Sequence, residues 1–229
     1  LEVLDIGSGW GGMALTLAVM LPTVADAQLA KPRKKAEPEA TQEQGPQPEY
    51  SKEFRKVAAK AQGFANDQKW ADLLAMLPEL EALPNPTRDE KKAIATWRLQ
   101  ATQGSGDQEG FAAAIEVFLK EGYAEPGQIG AMHRQLAAHY SAKQEREKTL
   151  QHFRQFVDAT PDVEPDEFET LGRLYLQANN YADATLFLGK AIDLSASRKE
   201  TPKEMWFQLR DRCYIEQKDE AGRLANLEA

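Results

Sequence analysis

The chain has 229 residues, of which 42% are hydrophobic and 28% charged, with a formal net charge of −8. That is enough apolar material for one or two ordinary packed domains. The acidic balance argues against a nucleic-acid surface, which needs clustered positive charge, and three histidines with one cysteine leave little to build a metal site from.

The first 27 residues admit two readings. In one, a strand Leu1–Ile6 runs into a glycine loop at Gly7–Gly12 and then a helix from Met13. Gly7, Gly9 and Gly12 have the spacing that lets backbone approach a nucleotide at a helix N-terminus. The string Val3–Gly12 resembles motif I of S-adenosylmethionine-dependent methyltransferases, closest to the cyclopropane-fatty-acid synthase branch. The resemblance implies that Asp5, Gly7, Gly9 and Gly12 sit in the loop that wraps the methionine and ribose of the cofactor. It ends after about a dozen residues. A methyltransferase sheet needs a second strand closing on an acidic residue about 20 positions on. Here Asp26 stands without an apolar strand before it, and no alternating strands and helices follow.

In the other reading the same segment is a secretory signal. Met13–Ala25 is uncharged and rich in Ala, Leu and Val, and Ala25-Asp26-Ala27 supplies a small-x-small cleavage pattern before Gln28. No Lys or Arg precedes Lys31, so the basic start of a signal is missing; the two readings also combine if Met13 is the true start and residues 1–12 belong to something else. The uncharged run Ile6–Ala25 reaches nominal membrane-spanning length, but its four glycines make a poor spanning helix. The expectation is a signal peptide or N-terminal hydrophobic segment over 1–27. The protein is then periplasmic or secreted, or alternatively anchored in the envelope if the segment stays uncleaved, with membrane contact through that segment alone.

Residues 28–50 hold four prolines, four glutamines and eight charges, with almost nothing to bury. They read as a disordered, extended linker.

From residue 51 to 229 the apolar residues recur with a helix–turn–helix period. Phe168, Leu171, Gly172 and Tyr175 lie on one predicted helix, and Ala184, Leu188 and Ala191 on the next, across a polar turn at Gln177–Asn180. With Phe168 at position 4 of a 34-residue unit, these fall at positions 7, 8, 11, 20, 24 and 27. This pattern resembles the tetratricopeptide repeat (TPR), in which small residues at 8, 20 and 27 let backbones approach and large ones fill the space between. His133, Leu136, Ala137, Tyr140, Thr149, Phe153 and Phe156 occupy the same stations one unit earlier, and Pro161 closes that unit. Trp206, Leu209, Cys213 and Gly222 repeat them later, in a copy cut off at Ala229. Upstream, Val57, Ala61, Phe64, Leu73, Leu77 and Leu80 form a first unit, with Lys60 as a misfit. Ile94, Trp97, Ala101, Ala114 and Phe118 form a second if the turn at Gly104–Asp107 is longer than usual. The predicted fold is an all-α, TPR-like helical-hairpin solenoid of about five units, the last incomplete, behind a disordered linker. Since one hairpin cannot bury its own apolar face, neighbours are required. Helix starts are expected at Thr87-x-x-Glu90, Asp166-x-x-Glu169 and Thr201-Pro202-x-Glu204, which match the capping pattern.

No catalytic constellation emerges. His133 and His139 share no helical face, His152 lies on the following helix, and Cys213 occupies an inward station where a reactive thiol would be out of place. What remains is a binding surface, with no cofactor and no metal. The TPR resemblance implies a concave groove lined by the first helices, with ligand contacts from repeat positions such as 2, 5, 9, 12 and 13. On this chain those include Arg134, Arg173, Leu176, Gln177, Phe207, Asp211 and Tyr214. Their mixture of basic, apolar and aromatic groups suits an extended peptide, and does not reproduce the two-Lys, two-Asn carboxylate clamp of some TPR proteins. The expected function is a non-catalytic scaffold for protein–protein interaction in the cell envelope, its partner another protein or peptide. The alternative is a fragment or fusion of an S-adenosylmethionine-dependent methyltransferase.

Overall fold

The computed structural model describes residues 48–228. The glycine loop with Asp5, Gly7, Gly9 and Gly12, the signal-like segment, the linker up to residue 47, and Ala229 lie outside the described residues. Among the described residues the chain forms ten helices and no strand, arranged as five consecutive hairpins. These are α1 (Lys52–Asn66) with α2 (Trp70–Glu81), α3 (Arg88–Ser105) with α4 (Gln108–Lys120), α5 (Pro126–Ala142) with α6 (Arg146–Ala159), α7 (Pro165–Gln177) with α8 (Tyr181–Ser197), and α9 (Glu204–Gln217) with α10 (Glu220–Glu228). This is the TPR-like all-α architecture that the repeat period predicts. The described chain divides into two compact units within α4, after Ala114.

All five hairpins turn in the same way. The penultimate turn residue sits in the left-handed region at Gln68, Gly106, Gln144, Asn179 and Lys218. The next residue's N–H then reaches back five residues: Lys69 to Phe64, Asp107 to Thr102, Glu145 to Tyr140, Asn180 to Tyr175 and Asp219 to Tyr214, each at 2.9–3.0 Å. That bond caps carbonyls left open at the end of the first helix. Only one of the five left-handed positions is a glycine. The others carry the modest cost of a side chain there, which the repeated backbone bonding offsets.

In the unit ending at Ala114, the first hairpin packs against α3 through Phe54, Leu73, Leu77 and Leu80 on one side and Ile94 and Trp97 on the other, all buried. Two differences from the sequence reading appear here. The turn of the second hairpin is short, because Gly104 and Ser105 continue α3 to 18 residues. A Cβ on Gly104 would lie 2.3 Å from the Trp70 ring, so this glycine opens a seat for the indole instead of breaking the helix. The linker also stops earlier than residue 50. The Glu49 N–H donates to Asp89 at 2.8 Å, the Thr87 hydroxyl donates to the Glu49 carbonyl at 2.7 Å, and the Tyr50 ring packs on Phe54. Beneath them, buried Glu90 accepts from the backbone N–H of Ser51 at 2.6 Å and of Thr87 at 2.9 Å. One carboxylate thus ties the starts of α1 and α3 together. Burial pushes its pKa up, but the bonds from Ser51 and Thr87 prevail and hold it below the ordinary value.

In the unit from Ile115 onward, α5–α6, α7–α8 and α9 pack in series. Leu171, Gly172, Tyr175, Ala184, Leu188 and Ala191 are all buried, as their stations require. Gly172 has the predicted close approach, since a Cβ there would meet Leu188 Cγ at 2.8 Å. Trp206 and Cys213 bury against the fourth hairpin, with Leu209 packed beside them.

Of the three predicted caps, Thr87–Glu90 forms as a full capping box. The other two are corrected. α7 is capped two residues earlier, at Glu164, whose N–H donates to Glu167 at 3.0 Å, with Pro165 as the first helical residue. α9 starts at Glu204 behind Lys203, with no side-chain cap from Thr201. α5 repeats the Glu-Pro start of α7, the Glu125 N–H donating to Gln128 at 3.0 Å. Glutamate is a weak capping residue, and proline's preset φ supplies the missing start signal.

Candidate functional site

The seven predicted groove residues all belong to the unit from Ile115 onward, and the structure sorts them into two groups. Arg134 on α5 and Arg173 on α7 point along the line of first helices. Arg134 pairs with Glu167 of the next hairpin at 3.0 Å while remaining 60% exposed, and its guanidinium lies over the Phe156 ring. Arg173 pairs with Glu169 at 3.4 Å and reaches Met205 Sδ of the following hairpin at 3.6 Å. Lys203 continues the series to Asp166 at 2.6 Å. Glu169 is the anchor of this band, since it also accepts from Trp206 Nε1 at 2.6 Å. Leu176 is half-buried against the core, and exposed Gln177 lies on the rim of a cleft of about 250 Å³ floored by Leu150 and Leu174. Arg146 and Glu147 complete that rim.

Phe207, Asp211 and Tyr214 go elsewhere. Asp211 pairs with Arg223 of α10 at 3.1 Å, the Phe207 carbonyl accepts from Asn226 at 2.9 Å, and the Tyr214 ring occupies the space above Gly222. Asp211 and Tyr214 face their own hairpin partner, while the Phe207 ring packs against the cluster of Ala191, Ile192 and Trp206. The reason is a single residue. In the first, third and fourth hairpins the left-handed turn residue comes four positions after the inward aromatic station, at Phe64–Gln68, Tyr140–Gln144 and Tyr175–Asn179. In the second and fifth it comes five positions after the matching station, at Ala101–Gly106 and Cys213–Lys218. One extra residue turns a helix by about 100°. α10 therefore folds back onto the Asp211–Tyr214 face of α9, while Trp206, Phe207, Leu209 and Cys213 pack toward the fourth hairpin.

The sequence reading passed over two features. One is the acidic half of the band, Glu167 and Glu169, of which the sequence pattern marked only Glu169, as part of a helix cap. The other is a contact between two of the three histidines. His133 Nδ1 and His152 Nδ1 lie 3.1 Å apart with their rings stacked, and Tyr140 stacks on His152 at 5.4 Å between ring centroids. The signal was present, because His152 immediately precedes the inward station Phe153 on α6, opposite His133 on α5. Burial pushes the pKa of both imidazoles below the ordinary value. His152 adds to the effect on His133, and Glu116 opposes it at His152. Cys213 is buried, which raises its thiol pKa and keeps it unreactive. Among the described residues no group of three or more His, Cys, Asp or Glu side chains is placed to hold a metal, and no helix is long and apolar enough to cross a membrane.

No family model and no curated protein matches the chain. Two solved structures similar to it are BtubC (BKLC) from P. vanneervenii and a tetratricopeptide repeat protein from Parabacteroides merdae. The first is 12% identical with a TM-score of 0.38, over 76% of this chain and 76% of that one. The second is 14% identical with a TM-score of 0.41, over 78% of each. At that distance the architecture rests on the chain's own hairpins.

Proposed function

We propose that the protein is a non-catalytic TPR-type scaffold of the cell envelope that binds an extended peptide or a protein partner along its first helices. The observation that carries the reading is the band of ion pairs along α5, α7 and the start of α9: Arg134–Glu167, Arg173–Glu169 and Lys203–Asp166, with Arg134, Lys203 and Asp166 open to solvent and Glu167 and Glu169 largely covered. Where both partners face solvent, as in Lys203–Asp166, such a pair adds little to stability, about 0–1 kcal/mol. Its members can therefore exchange their internal partners for charged groups of a ligand at small cost. Met205, 46% exposed beside Arg173, offers an adaptable apolar contact in the same band. Leu176 and Gln177 extend it toward the turn ends. The envelope assignment rests on the signal-like Met13–Ala27 segment.

The test is selection of peptides from a random display library on the purified chain, followed by affinity measurement on the R134E/R173E variant. Specific binders that lose at least about tenfold in affinity on the variant, one decade being 1.4 kcal/mol, support the reading. No selectable binder, or binders indifferent to both arginines, would refute it. Cell fractionation with N-terminal sequencing tests the location, an envelope species starting at Gln28 being the expected result.

A further inference from the structure

The third hairpin holds the densest cluster of titratable rings among the described residues. His133 projects from α5 and His152 from α6, and their Nδ1 atoms meet at 3.1 Å across the seam that joins the two helices. Two ring nitrogens at that distance need one proton between them: one donates and the other must be bare. The other faces of the pair are also engaged. Tyr140 of α5 stacks on His152 at an interplanar angle of 9° and donates its phenolic O–H to Glu116 of α4, while the Lys148 ammonium lies 4.5 Å from the centre of the Tyr140 ring. His139 meets the edge of Tyr140. Phe153, next to His152, is part of the buried core.

The proton count of this pair follows from its geometry. With both imidazoles neutral, one N–H donates to the other ring. A first proton leaves the bond intact, since an imidazolium still donates and its neighbour still offers a bare nitrogen. Glu116 is placed to favour that charge on His152, and Lys148 to oppose it. A second proton leaves two N–H groups facing each other at 3.1 Å, with two positive charges and no acceptor. The contact cannot survive that state. The two steps belong to the pair and not to either ring alone.

We infer that the His133–His152 contact is an acid-operated latch between α5 and α6, which stays shut through its first protonation and opens on the second. Opening separates the rings, unstacks Tyr140 from His152 and loosens the third hairpin, while the apolar seam of the fourth is untouched. The depressed proton affinity of both histidines fits a latch that is shut at neutral pH.

The test uses the full chain. Ring-nitrogen NMR of the histidines against pH is expected to give two coupled steps for His133 and His152, both below the ordinary 6.5, with slowed amide exchange in α5 and α6 lost several-fold across the second step. The H152Q variant, which keeps a polar side chain but removes one proton site, is expected to lose that acid response, and H139Q to keep it. Independent single-site titrations near 6.5 for both histidines in the unaltered chain would overturn the latch. So would an acid response of α5 and α6 that persists unchanged in H152Q.

Discussion

The fourth and fifth hairpins share one backbone turn but are held together by different chemistry. Between α7 and α8 the seam is apolar: Leu171, Ala184, Phe187 and Leu188 are fully buried, and the Tyr175 and Phe187 rings stack 5.5 Å apart. Between α9 and α10 the seam is polar. Arg210 donates to buried Asn226 at 2.6 Å, and Arg223 donates to Asp211 at 3.1 Å. The apolar residues of α10, Leu224 and Leu227, are 60% and 71% exposed. The comparison teaches that the turn does not decide what a hairpin buries. The spacing between the last inward station and the turn selects which face of the first helix meets the second, and on α9 the selected face carries Asp211 and Tyr214.

The largest effect should come from the apolar seam. Leu171→Ala removes a side chain with no exposed surface, and a loss of about 2–5 kcal/mol in denaturant unfolding is expected. The equivalent truncation at the end of α10, Leu227→Ala, should stay within about 0.5 kcal/mol. Similar losses from both would erase the distinction between the hairpins. Next in size is the polar seam itself. Asn226→Ala strips Arg210 of its acceptor and the Phe207 carbonyl of its donor, for an expected cost of about 1–3 kcal/mol. Proteolysis should reach α10 before α8, and Asn226→Ala should advance only the α10 cut.

Acid should separate the two compact units. Glu90, in the unit ending at Ala114, has a folded pKa below its ordinary 4.5, so its contribution is present above that value and lost as pH falls through the folded pKa. The histidines of the other unit also have depressed pKa values, but there the neutral form is favoured. The unfolded state binds more protons below about 6.5, so stability declines as pH drops from 7 toward 5. Circular dichroism melts of Glu90→Gln and of the unaltered chain at pH 7.5, 5.5 and 4 should show the histidine loss first in both. The further loss at pH 4 should be larger in the unaltered chain. Coincident losses in one pH window would contradict the assignment.

Much of this was legible in the sequence, and the exceptions have physical causes. Apolar period fixes which face of a helix is buried, so Leu171, Gly172, Tyr175, Ala184, Leu188 and Ala191 could be placed without coordinates. Glycine was a poorer guide, because it serves two purposes. Gly104 looked like a turn and is a seat for Trp70, while Gly222 fixed a register that the turn at Lys218 shifts by one residue. That shift is invisible to a residue-type pattern, since a lysine in the left-handed region carries no compositional mark. It is also why Asp211 and Tyr214 read as groove residues. The His133–His152 contact needed a pairing of helices, not a motif within one.

Surface charge gives the smallest stability effect and the sharpest functional one. Arg134→Ala and Arg173→Ala should each cost under about 1 kcal/mol, with unchanged helical content. The most direct test of the account is therefore the affinity of one selected peptide for R173A set beside its affinity for D211A. The account predicts a loss of at least about tenfold for R173A, a decade being 1.4 kcal/mol, and unchanged binding for D211A, whose side chain is engaged by Arg223. Binding that survives R173A and fails in a folded D211A would place the groove on the face that α10 covers, and the account would be wrong.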